Sequence, residues 1–443
     1  MKLTSRGDNV RRRIIGFELS ANKVQCIILN SLTYAAGKLW NVANYERRCW
    51  SYDSGIEYPD WFEQKKRLKD HYWYKSLPSQ TAQELLKQLH EAWQSYNKVK
   101  RTGGIINPQP PGYKQTGATI RYLNNGFIIK GGAIRLTIPK QQKEYLAKKH
   151  DITENYLYLR IPDEYTSFQG NLKMIEIIPL RNEKYKVNMI IELPKAEYQA
   201  ENEVYMSVDL GVNNLITCHA STGKSIIISG RQLLSINRYF DKAIGYYQSI
   251  AYAQQYASGI RYPKRTHRIQ QLYEKRSRQV EHLLHTATKS AIKFAVNEGV
   301  TKIIVGDIVN IREDKDMGRV NNQKFHKWPF GKIKQLLVYK AEDQGIKVEM
   351  QEESYTSQCS PYTTEVSEQY AHKSNRKHRG LYVIEGNAFN ADCVGAYNIM
   401  RKYLCRTGKA SPAVVGLDTP MMYRWNSNKG FVSNQKLAIS MAM

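Results

Sequence analysis

The segment from Val204 to Cys218 constrains the fold of this chain more than any other stretch. Its first half alternates apolar and polar side chains, as a strand does, and this run ends on an acid, Asp209. Gly211 permits a tight turn, and a second apolar run begins at Leu215. The pattern predicts a β-hairpin whose first strand carries one carboxylate out of a sheet. Such a carboxylate could bind a divalent metal, or it could be an ordinary surface acid.

The sequence after residue 202 predicts an α/β core that continues this hairpin. Runs of period two alternate with runs in which apolar residues recur every three or four positions. The succession of three strands, helices, strand, helix, strand, insert and helix is RNase H-like. The predicted elements after the hairpin are a third strand within 221–228, helices 233–257 and 265–298, strand 302–308, helix 325–345, strand 346–351 and helix 390–403. The last forty residues are expected to be irregular.

The N-terminal half predicts a small β-barrel or sheet with helices before it. Helical periodicity covers residues 21–48, 61–74 and 80–100, and a linker rich in Pro follows at 108–112. From about residue 117 to 195 the period changes to two. The predicted strands are 119–123, 126–129, 133–138, 155–161, 172–179 and 184–193, with a further short strand at 14–17.

The charge of the chain favours nucleic acid as a partner. Lys plus Arg number 66 against 40 Asp plus Glu, which gives a formal charge of +26, and the chain has 31 Tyr. Cations for phosphates and flat rings for bases are what such a surface needs, although a charged helix face is often only solvated. The candidate contacts are Arg265, Arg268, Lys275, Arg276 and Arg278 on the long helix, and Lys65, Lys66 and Arg67 on a short one.

Composition also excludes two classes of protein. The six cysteines have no regular spacing, which argues against a secreted disulfide framework. No apolar stretch approaches the roughly 20 residues that a membrane span requires. The sequence therefore predicts a cytoplasmic protein without a membrane partner.

Three acids are candidates for one metal site: Asp209 on the first strand, Glu353 after a late strand and Asp392 at the start of the last helix. Strand ends and a helix N-terminus can converge at one edge of such a core. Adjacent carboxylates repel one another, and Mg²⁺, which prefers oxygen ligands, would relieve the repulsion. Two ions about 4 Å apart could activate a water and stabilise a leaving 3′ oxygen. His282 and His285 on the long helix could also ligate a metal, but no further ligand signature lies near them.

Five motifs follow one another in the C-terminal half. They are Ser207–Asn214 (SVDLGVNN), Ile304–Asp307 (IVGD), Trp328 with the helix after it, Tyr355–Gln358 (YTSQ) and Asn390–Ile399 (NADCVGAYNI). Together they resemble the TnpB family of transposon-encoded RNA-guided nucleases, also called OrfB and related to type V CRISPR effectors. The resemblance covers residues 202–403 in register and the N-terminal half more loosely. It implies that Asp209 and Asp392 match the first and third catalytic acids of the family.

The resemblance implies a RuvC-type, RNase H-like nuclease domain in the C-terminal half, preceded by a wedge-like β-barrel with a helical recognition insert. The implied ranges are 1–20 and 113–200 for the barrel, 21–112 for the recognition insert, 201–354 and 389–404 for the nuclease domain, 355–388 for a degenerate zinc-ribbon-like target-loading insert, and 405–443 for an irregular tail. It also implies a transposon-derived guide RNA, double- and single-stranded target DNA beside a short flanking motif, two Mg²⁺ ions, and a nucleoid-associated monomer in complex with RNA.

The second acid departs from the family pattern. Many members place it at the end of the strand before the long polar loop, where this chain has Gly306. Asp307 stands one position later, and a branch of the family supplies the carboxylate from just before the Tyr-Thr-Ser motif, which is Glu353 here. We expect Glu353, rather than Asp307 or Glu352, to be the second acid, because its long side chain could reach the same metals.

The zinc ribbon also departs from the family pattern. The family usually has two Cys-x-x-Cys pairs between Tyr-Thr-Ser and the last acid, whereas this chain has Cys359 with Tyr362 at the partner position and no second pair. A set of Cys359, His372 and His378 is poorly spaced for zinc. We therefore expect no structural zinc. The residues expected to replace the metal by packing are Tyr362, Leu381 and Tyr382.

The leading expectation is an Mg²⁺-dependent RNA-guided DNA endonuclease. A nuclease-inactive RNA-guided repressor or transposition regulator is an alternative, because Gly306 stands where the family has an acid. A compact type V CRISPR effector is a further alternative, since the fold would be the same and only the genomic context would differ.

Overall fold

The computed structural model describes residues 10–50, 55, 58–103, 105–181, 183–307, 328–378 and 380–433. The chain divides into two compact units, Met1–Lys195 and Ala196–Met443. Each unit contains a hydrophobic cluster of its own. Within the described residues, no helix is long and apolar enough to cross a membrane.

The N-terminal unit begins with one strand and a group of helices. Helix α1 starts at a capping box, in which the Asn22 side chain accepts from the Gln25 N–H and the Gln25 side chain accepts from the Asn22 N–H, both at 2.8 Å. Helix α4 buries Leu85, Leu86 and Leu89 in the cluster that it shares with α1. The bounds are β1 Val10–Leu19, α1 Lys23–Cys49, α2 Trp61–Arg67, α3 Tyr72–Lys75 and α4 Ser79–Thr102.

The remaining strands of this unit form antiparallel sheets in the orders β1-β7-β6-β2 and β3-β4-β5. The bounds are β2 Ile120–Leu123, β3 Phe127–Lys130, β4 Ala133–Thr137, β5 Tyr156–Arg160, β6 Asn171–Pro179 and β7 Tyr185–Pro194. All of these strands were predicted, to within about one residue at each end. Helix α5, Lys140–His150, was not predicted, because its buried side chains are only Gln142 and Leu146 and it has no apolar stripe.

The C-terminal unit is built on a mixed sheet in the order β12-β11-β8-β9-β10-β16-β17. Strands β8, β11 and β12 are mutually parallel, and the β8–β9 pair is the predicted antiparallel hairpin. The bounds are β8 Tyr205–Asp209, β9 Asn214–Ala220, β10 Ser225–Ser229, α6 Arg231–Ala257, α7 His267–Asn297, β11 Lys302–Asp307, α8 Phe330–Glu342, β12 Lys347–Glu352, β13 Arg376–His378, β14 Leu381–Ile384, β15 Asn387–Asn390, α9 Ala391–Arg406, β16 Met421–Asn426 and β17 Gly430–Ser433.

The two faces of this sheet pack against different helices. Met206 and Val208 belong to the cluster that α6, α7 and α8 cover, whereas Tyr205 packs with residues of α9. Since successive side chains of a strand point to opposite faces, Asp209 lies on the α9 face with Tyr205. The same alternation puts Gly306 of β11 on that face.

The expectation of an irregular tail was wrong for residues 421–433. Strand β16 pairs in parallel with β10, with Ile226 opposite Met421, and β17 pairs with β16. A parallel pairing between segments so far apart in sequence leaves no local signal beyond a short apolar run. Residues 434–443 and the polar loop predicted at 311–324 lie outside the described residues.

Candidate acidic site and nucleic-acid surfaces

Asp209 ends β8 on the α9 face of the sheet and is half-buried. Gly395 of α9 faces it so closely that a Cβ at 395 would lie 3.1 Å from Asp209 Oδ2. Burial, followed by the nearby Glu353 and Asp392 carboxylates, raises the pKa of Asp209 well above its usual range; Arg376 and the Leu210 N–H oppose this only partly. Asp209 is therefore an acid held in place by packing, not a freely solvated surface carboxylate.

The Glu353 carboxylate folds back over Gly306. In the parallel register Gly306 lies opposite Gln351, two residues before Glu353. Glu353 Oε2 occupies the space that a Cβ at 306 would need, and it is buried without a hydrogen-bond partner among the described residues. Burial raises the pKa of Glu353 to about 7; Lys334 opposes the shift, and Glu352 and Asp307 add to it. The missing side chain at 306 is what admits Glu353 to the site.

The other two candidates for the second acid form ion pairs with lysines. Lys334 of α8 donates to Asp307 Oδ1 in a short contact. Lys402 of α9 donates to Glu352, whose carboxylate also accepts from the Ser354 N–H at 2.6 Å. Glu352 and Glu353 thus differ in environment, because consecutive side chains leave the main chain in different directions.

Asp392 lies in the first turn of α9. The Asn390 side chain caps the helix by accepting from the Asp392 N–H at 3.0 Å. Asn214 Nδ2 donates to Asp392 Oδ2 at 2.6 Å, and Arg376 Nη2 donates to Oδ1 at 3.1 Å. Sequence reasoning missed both partners, although Asn214 stands in the Ser207–Asn214 motif and Arg376 in a basic stretch before Asp392.

The three acids interact electrostatically, but they are not assembled as a metal site. Among the described residues, no three His, Cys, Asp or Glu side chains are close enough together to hold an ion. The pair His282 and His285 accordingly gains no third ligand there. The contacts of Asp392 with Asn214 and Arg376 account for part of this, because they occupy both of its oxygens.

Comparison with known proteins supports the relationship that the motifs indicate. Residues 187–312 match the OrfB_IS605 family model, described as a probable transposase, and residues 330–399 match the Cas12f1-like TNB domain. The chain is 26% identical over 433 residues to a TnpB-like protein of Acidianus two-tailed virus, covering 91% of this chain and 88% of that protein. Over most of its length the chain is therefore similar to a TnpB-like protein.

Two further comparisons show a similarity to Cas12f1. The chain is 22% identical over 298 residues to the CRISPR-associated endodeoxyribonuclease Cas12f1 of Sulfoacidibacillus thermotolerans, covering 64% of this chain and 68% of that one. It also superposes on Cas12f1 from a Cas12f1–sgRNA–target DNA complex with a TM-score of 0.59 at 12% identity, covering 88% and 99% of the two chains. At this identity the superposition shows a shared fold.

The basic residues predicted on the long helix, of which Arg265 lies just before the start of α7, differ in their contacts. Arg276 donates twice to Asn237 Oδ1, at 3.1 and 2.8 Å, and so braces α7 against α6. Arg265 and Arg268 lie over tyrosine rings, at 4.5 and 5.3 Å from the ring centroids. Lys275 and Arg278 lie on the same helix. Arg276 therefore has a structural contact that the charge pattern does not reveal.

The predicted basic residues of the N-terminal unit lie on α2 beside aromatic rings. Lys65 Nζ is 5.3 Å from the centroid of Trp61 and 5.5 Å from that of Phe62. Lys66 and Arg67 form ion pairs with glutamates at 3.1 and 2.8 Å. Exposed pairs of this kind contribute little to stability, so the two cations can exchange a carboxylate for a phosphate at small cost.

The outer face of the β3-β4-β5 sheet carries a further aromatic and basic surface that sequence reasoning missed. Tyr156 and Tyr158 are 39% and 50% exposed. Arg135 lies opposite Tyr158 in the register, and its guanidinium is 4.4 Å from the Tyr156 centroid. Lys143 of α5 lies 5.8 Å from the same ring. Exposed rings and cations on one sheet face suit unpaired bases with their phosphates.

The pKa shifts predict opposite pH dependences for two adjacent glutamates. Because the pKa of Glu353 is raised in the folded protein, folding favours the protonated carboxyl group. Its contribution to stability is therefore present at low pH and is lost as pH rises towards 7. In EDTA, Glu353→Gln should therefore gain on the order of 2 kcal/mol relative to wild type between about pH 5 and about pH 8, allowing for partial exposure. Thermal unfolding across this range measures the difference.

Glu352→Gln is the matched control for this measurement. The pKa of Glu352 is lowered, with Lys402 and Ser354 outweighing the effect of burial. Its contribution to stability is present above the unfolded pKa, so Glu352→Gln should lose stability relative to wild type as pH rises from about 4. The same slope for both variants would contradict the assignment of Glu353 as the inward-facing acid.

Proposed function

We propose that this protein is an RNA-guided DNA endonuclease that cuts target DNA beside a short flanking motif. The observation that supports it most is the electrostatic cluster of Asp209, Glu353 and Asp392 at the ends of β8 and β12 and the start of α9, in a chain similar to a TnpB-like protein. Carboxylates on sheet ends and a helix start supply the oxygen ligands that phosphodiester hydrolysis by metal ions requires.

The proposed ligands of two Mg²⁺ ions are Asp209, Glu353 and Asp392. The donor set fits a hard cation, because Glu353 Oε2 is buried without a partner and the pKa of Asp209 is raised by burial and by the other two acids. When bound, such ions would activate a water and stabilise the leaving 3′ oxygen. Asp392 has to exchange its contact with Arg376 to join the set.

Arg376 and Lys334 are the cations of this site. Arg376 is 37% exposed in its ion pair with Asp392, so its guanidinium is placed to take a phosphate oxygen of the DNA instead. Lys334 is largely buried, and it opposes the rise in the pKa of Glu353, which favours the ionised carboxylate that metal binding needs. The chain thus supplies charges of both signs to a site that has to bind a polyanion.

The proposed architecture follows the TnpB family. The N-terminal sheets would form a wedge-like barrel, the helices α1 to α4 a recognition insert, and the C-terminal unit a RuvC-type nuclease with its target-loading insert at 355–388. The +26 charge is compatible with a guide RNA and with single- and double-stranded target DNA held by backbone contacts. We propose a monomeric complex with RNA in the cytoplasm, associated with the nucleoid.

The first test is cleavage by the complex of protein and RNA purified after expression with the flanking genomic DNA. A plasmid library with the guide-matched target beside randomised flanks, in Mg²⁺, should be cut by wild type. Asp209→Ala and Glu353→Ala should each reduce the cleavage rate by at least about a hundredfold, with DNA binding retained, because each change removes a proposed metal ligand. Gel-based cleavage and filter binding measure the two quantities separately.

Asp307→Ala is the matched control, because that carboxylate pairs with Lys334. Its cleavage rate should remain within about threefold of wild type, since an ion pair that is partly exposed contributes little. Loss of cleavage in Asp307→Ala with activity retained in Glu353→Ala would reverse the assignment. Target binding without cleavage by wild type would instead support a guided repressor or transposition regulator.

The relation between Gly306 and Glu353 predicts that the acid can be exchanged between the two positions. Gly306→Asp alone should lose activity, because the new side chain meets Glu353 Oε2. In the double variant Gly306→Asp, Glu353→Ala the conflict with the carboxylate is removed, and only the flexible end of the Ile399 side chain, 2.8 Å from the Cβ position, has to shift. The new carboxylate then arises beside Asp209 in the sheet. Cleavage should recover by about tenfold or more over Glu353→Ala. If the loss of cleavage in the double variant equals the sum of the losses in the two single variants, the exchange is contradicted.

The tyrosines of the β3-β4-β5 sheet face predict a measurable share of RNA affinity. The double variant Tyr156→Ala, Tyr158→Ala should weaken binding of the co-expressed guide RNA by about tenfold, since each stacked base contributes roughly 1–3 kcal/mol. The double Tyr→Phe variant keeps both rings and should bind as wild type does. Filter binding at fixed salt compares the two. Equal affinity of all three proteins would exclude this face as an RNA surface.

A further inference from the structure

Five backbone carbonyls of the segment after Glu353 are bound by three buried side chains. We name Tyr382, Asn398 and Arg401 the anchor residues. Tyr382 lies on β14, and the other two lie on α9, the helix that begins with Asp392. The carbonyls that they bind are those of Thr356, Gln358, Cys359, Ser360 and Thr363. The segment is therefore tied to α9 through its main chain.

Asn398 makes two of these contacts. It is fully buried, and its Nδ2 donates to the carbonyls of Thr356 and Cys359, both at 2.8 Å. Its Oδ1 accepts from Arg401 Nη1 at 2.9 Å. Both donors and the acceptor of the amide are thus used, which is what a buried polar group needs in order not to destabilise the fold.

Arg401 supplies a buried cation at the same place. It is 4% exposed, and its Nη1 donates to the Ser360 carbonyl at 2.9 Å while its Nη2 donates to the Thr363 carbonyl in a short contact. The guanidinium also lies 5.7 Å from the Tyr397 ring centroid. Its hydrogen bonds within the described residues go to amide oxygens, which carry partial negative charge without bringing a second ion.

Tyr382 joins the rest of the insert to this arrangement. It is fully buried, and its hydroxyl donates to the Gln358 carbonyl at 3.2 Å and accepts from Asn375 at 3.2 Å. Tyr382 also pairs with Arg376 in the β13–β14 register. Of the residues expected to pack in place of zinc, Tyr382 is the one in the interior, whereas Tyr362 is 45% exposed.

The same anchors control the position of two site residues. The Thr356 N–H and hydroxyl both donate to the Glu353 carbonyl, at 3.2 and 2.8 Å, so the carbonyl that Asn398 holds belongs to the residue that fixes Glu353. Arg376 of β13 lies directly opposite Tyr382 of β14 in the antiparallel register. Through these links, Glu353 and Arg376 are positioned relative to α9 and hence to Asp392.

We propose that the anchor residues Tyr382, Asn398 and Arg401 are positioning residues that hold Glu353 and Arg376 in register with Asp392. This inference rests on the proposed nuclease function for its consequence, but the anchoring itself does not. The Cys359 thiol adds a further contact to a main-chain carbonyl of the insert, because it donates to the Ser367 carbonyl at 3.2 Å.

Hydrogen exchange of the full-length protein with its RNA tests the anchoring. Arg401→Met keeps the length of the side chain and removes the donors, and it should speed exchange of amides in 356–388 by about tenfold or more, with β8, β9 and β11 unchanged. Arg401→Lys should fall between Met and wild type, since it keeps the charge but not the planar fork. Arg406→Met, an exposed site at the end of the same helix, is the control and should match wild type.

A second measurement separates positioning from general stability. Calorimetric titration with Mn²⁺ should show about tenfold weaker binding at the acidic site in Arg401→Met, and the cleavage turnover should fall similarly while target DNA affinity stays within about twofold. Exchange and Mn²⁺ binding equal to wild type would overturn the proposal, as would exchange that rises equally throughout the C-terminal unit.

Tyr382→Phe keeps the test decisive if Arg401→Met does not fold. It deletes one hydroxyl and should speed exchange only around 357–360 and in β13 and β14; no change there would overturn the proposal. Wild type that binds no Mn²⁺ while the exchange pattern holds would count against the nuclease function and leave the anchoring intact. The two failures are therefore distinguishable.

Discussion

Glu353 reaches the acidic site because the backbone at 306 carries no Cβ. The point where that Cβ would stand is 2.8 Å from Ile399 Cδ1 and 3.4 Å from the Val208 carbonyl, as well as in contact with Glu353 Oε2. Strand β8, strand β11, helix α9 and the end of β12 therefore meet at one glycine. Because close-packed interiors do not yield gradually, a side chain there has to displace either the carboxylate or the helix.

This close approach sets the electrostatics of the site. Three carboxylates in a partly buried place cost free energy, which shows in the raised pKa values of Asp209 and Glu353. The chain offsets the charge with Arg376 on Asp392 and with Lys334 nearby, and it keeps Glu352 outside, in an ion pair with Lys402. The pKa values of Asp209 and Glu353 therefore stay raised, whereas the pKa of Glu352 is lowered.

The sequence predicted the elements whose signal is local. Strands of the N-terminal half have clear period two, and Asp209 ends an apolar run before a glycine turn. Glu353 was expected as the second acid because Gly306 stands where the resembled family has an acid and a branch of that family supplies the carboxylate from just before Tyr355. The structure adds the physical reason, which is the space above Gly306. The roles of these acids in catalysis stay a prediction.

Contacts between residues far apart in the sequence could not be predicted from local patterns. The pairing of β16 with β10 and the hydrogen bonds from Asn214 and Arg376 to Asp392 join residues that no periodicity relates. Helix α5 has no stripe of apolar residues that would predict it. Arg276 has the sequence pattern of a surface cation, but it donates two hydrogen bonds to Asn237. A charge pattern locates a basic face, but it does not separate a bracing arginine from one that is free to bind phosphate.

The 356–388 insert shows how a segment can be ordered by hydrogen bonds to its main-chain carbonyls. A structural zinc fixes a loop by a few strong bonds to thiolates, whatever the rest of the domain does. Here Asn398 and Arg401 use neutral carbonyls, and such an arrangement holds only if nearly every buried donor and acceptor is paired. The donors lie on α9, so the insert is fixed directly to the helix that carries Asp392. The main chain of the insert and the Asp392 carboxylate are therefore supported by the same helix.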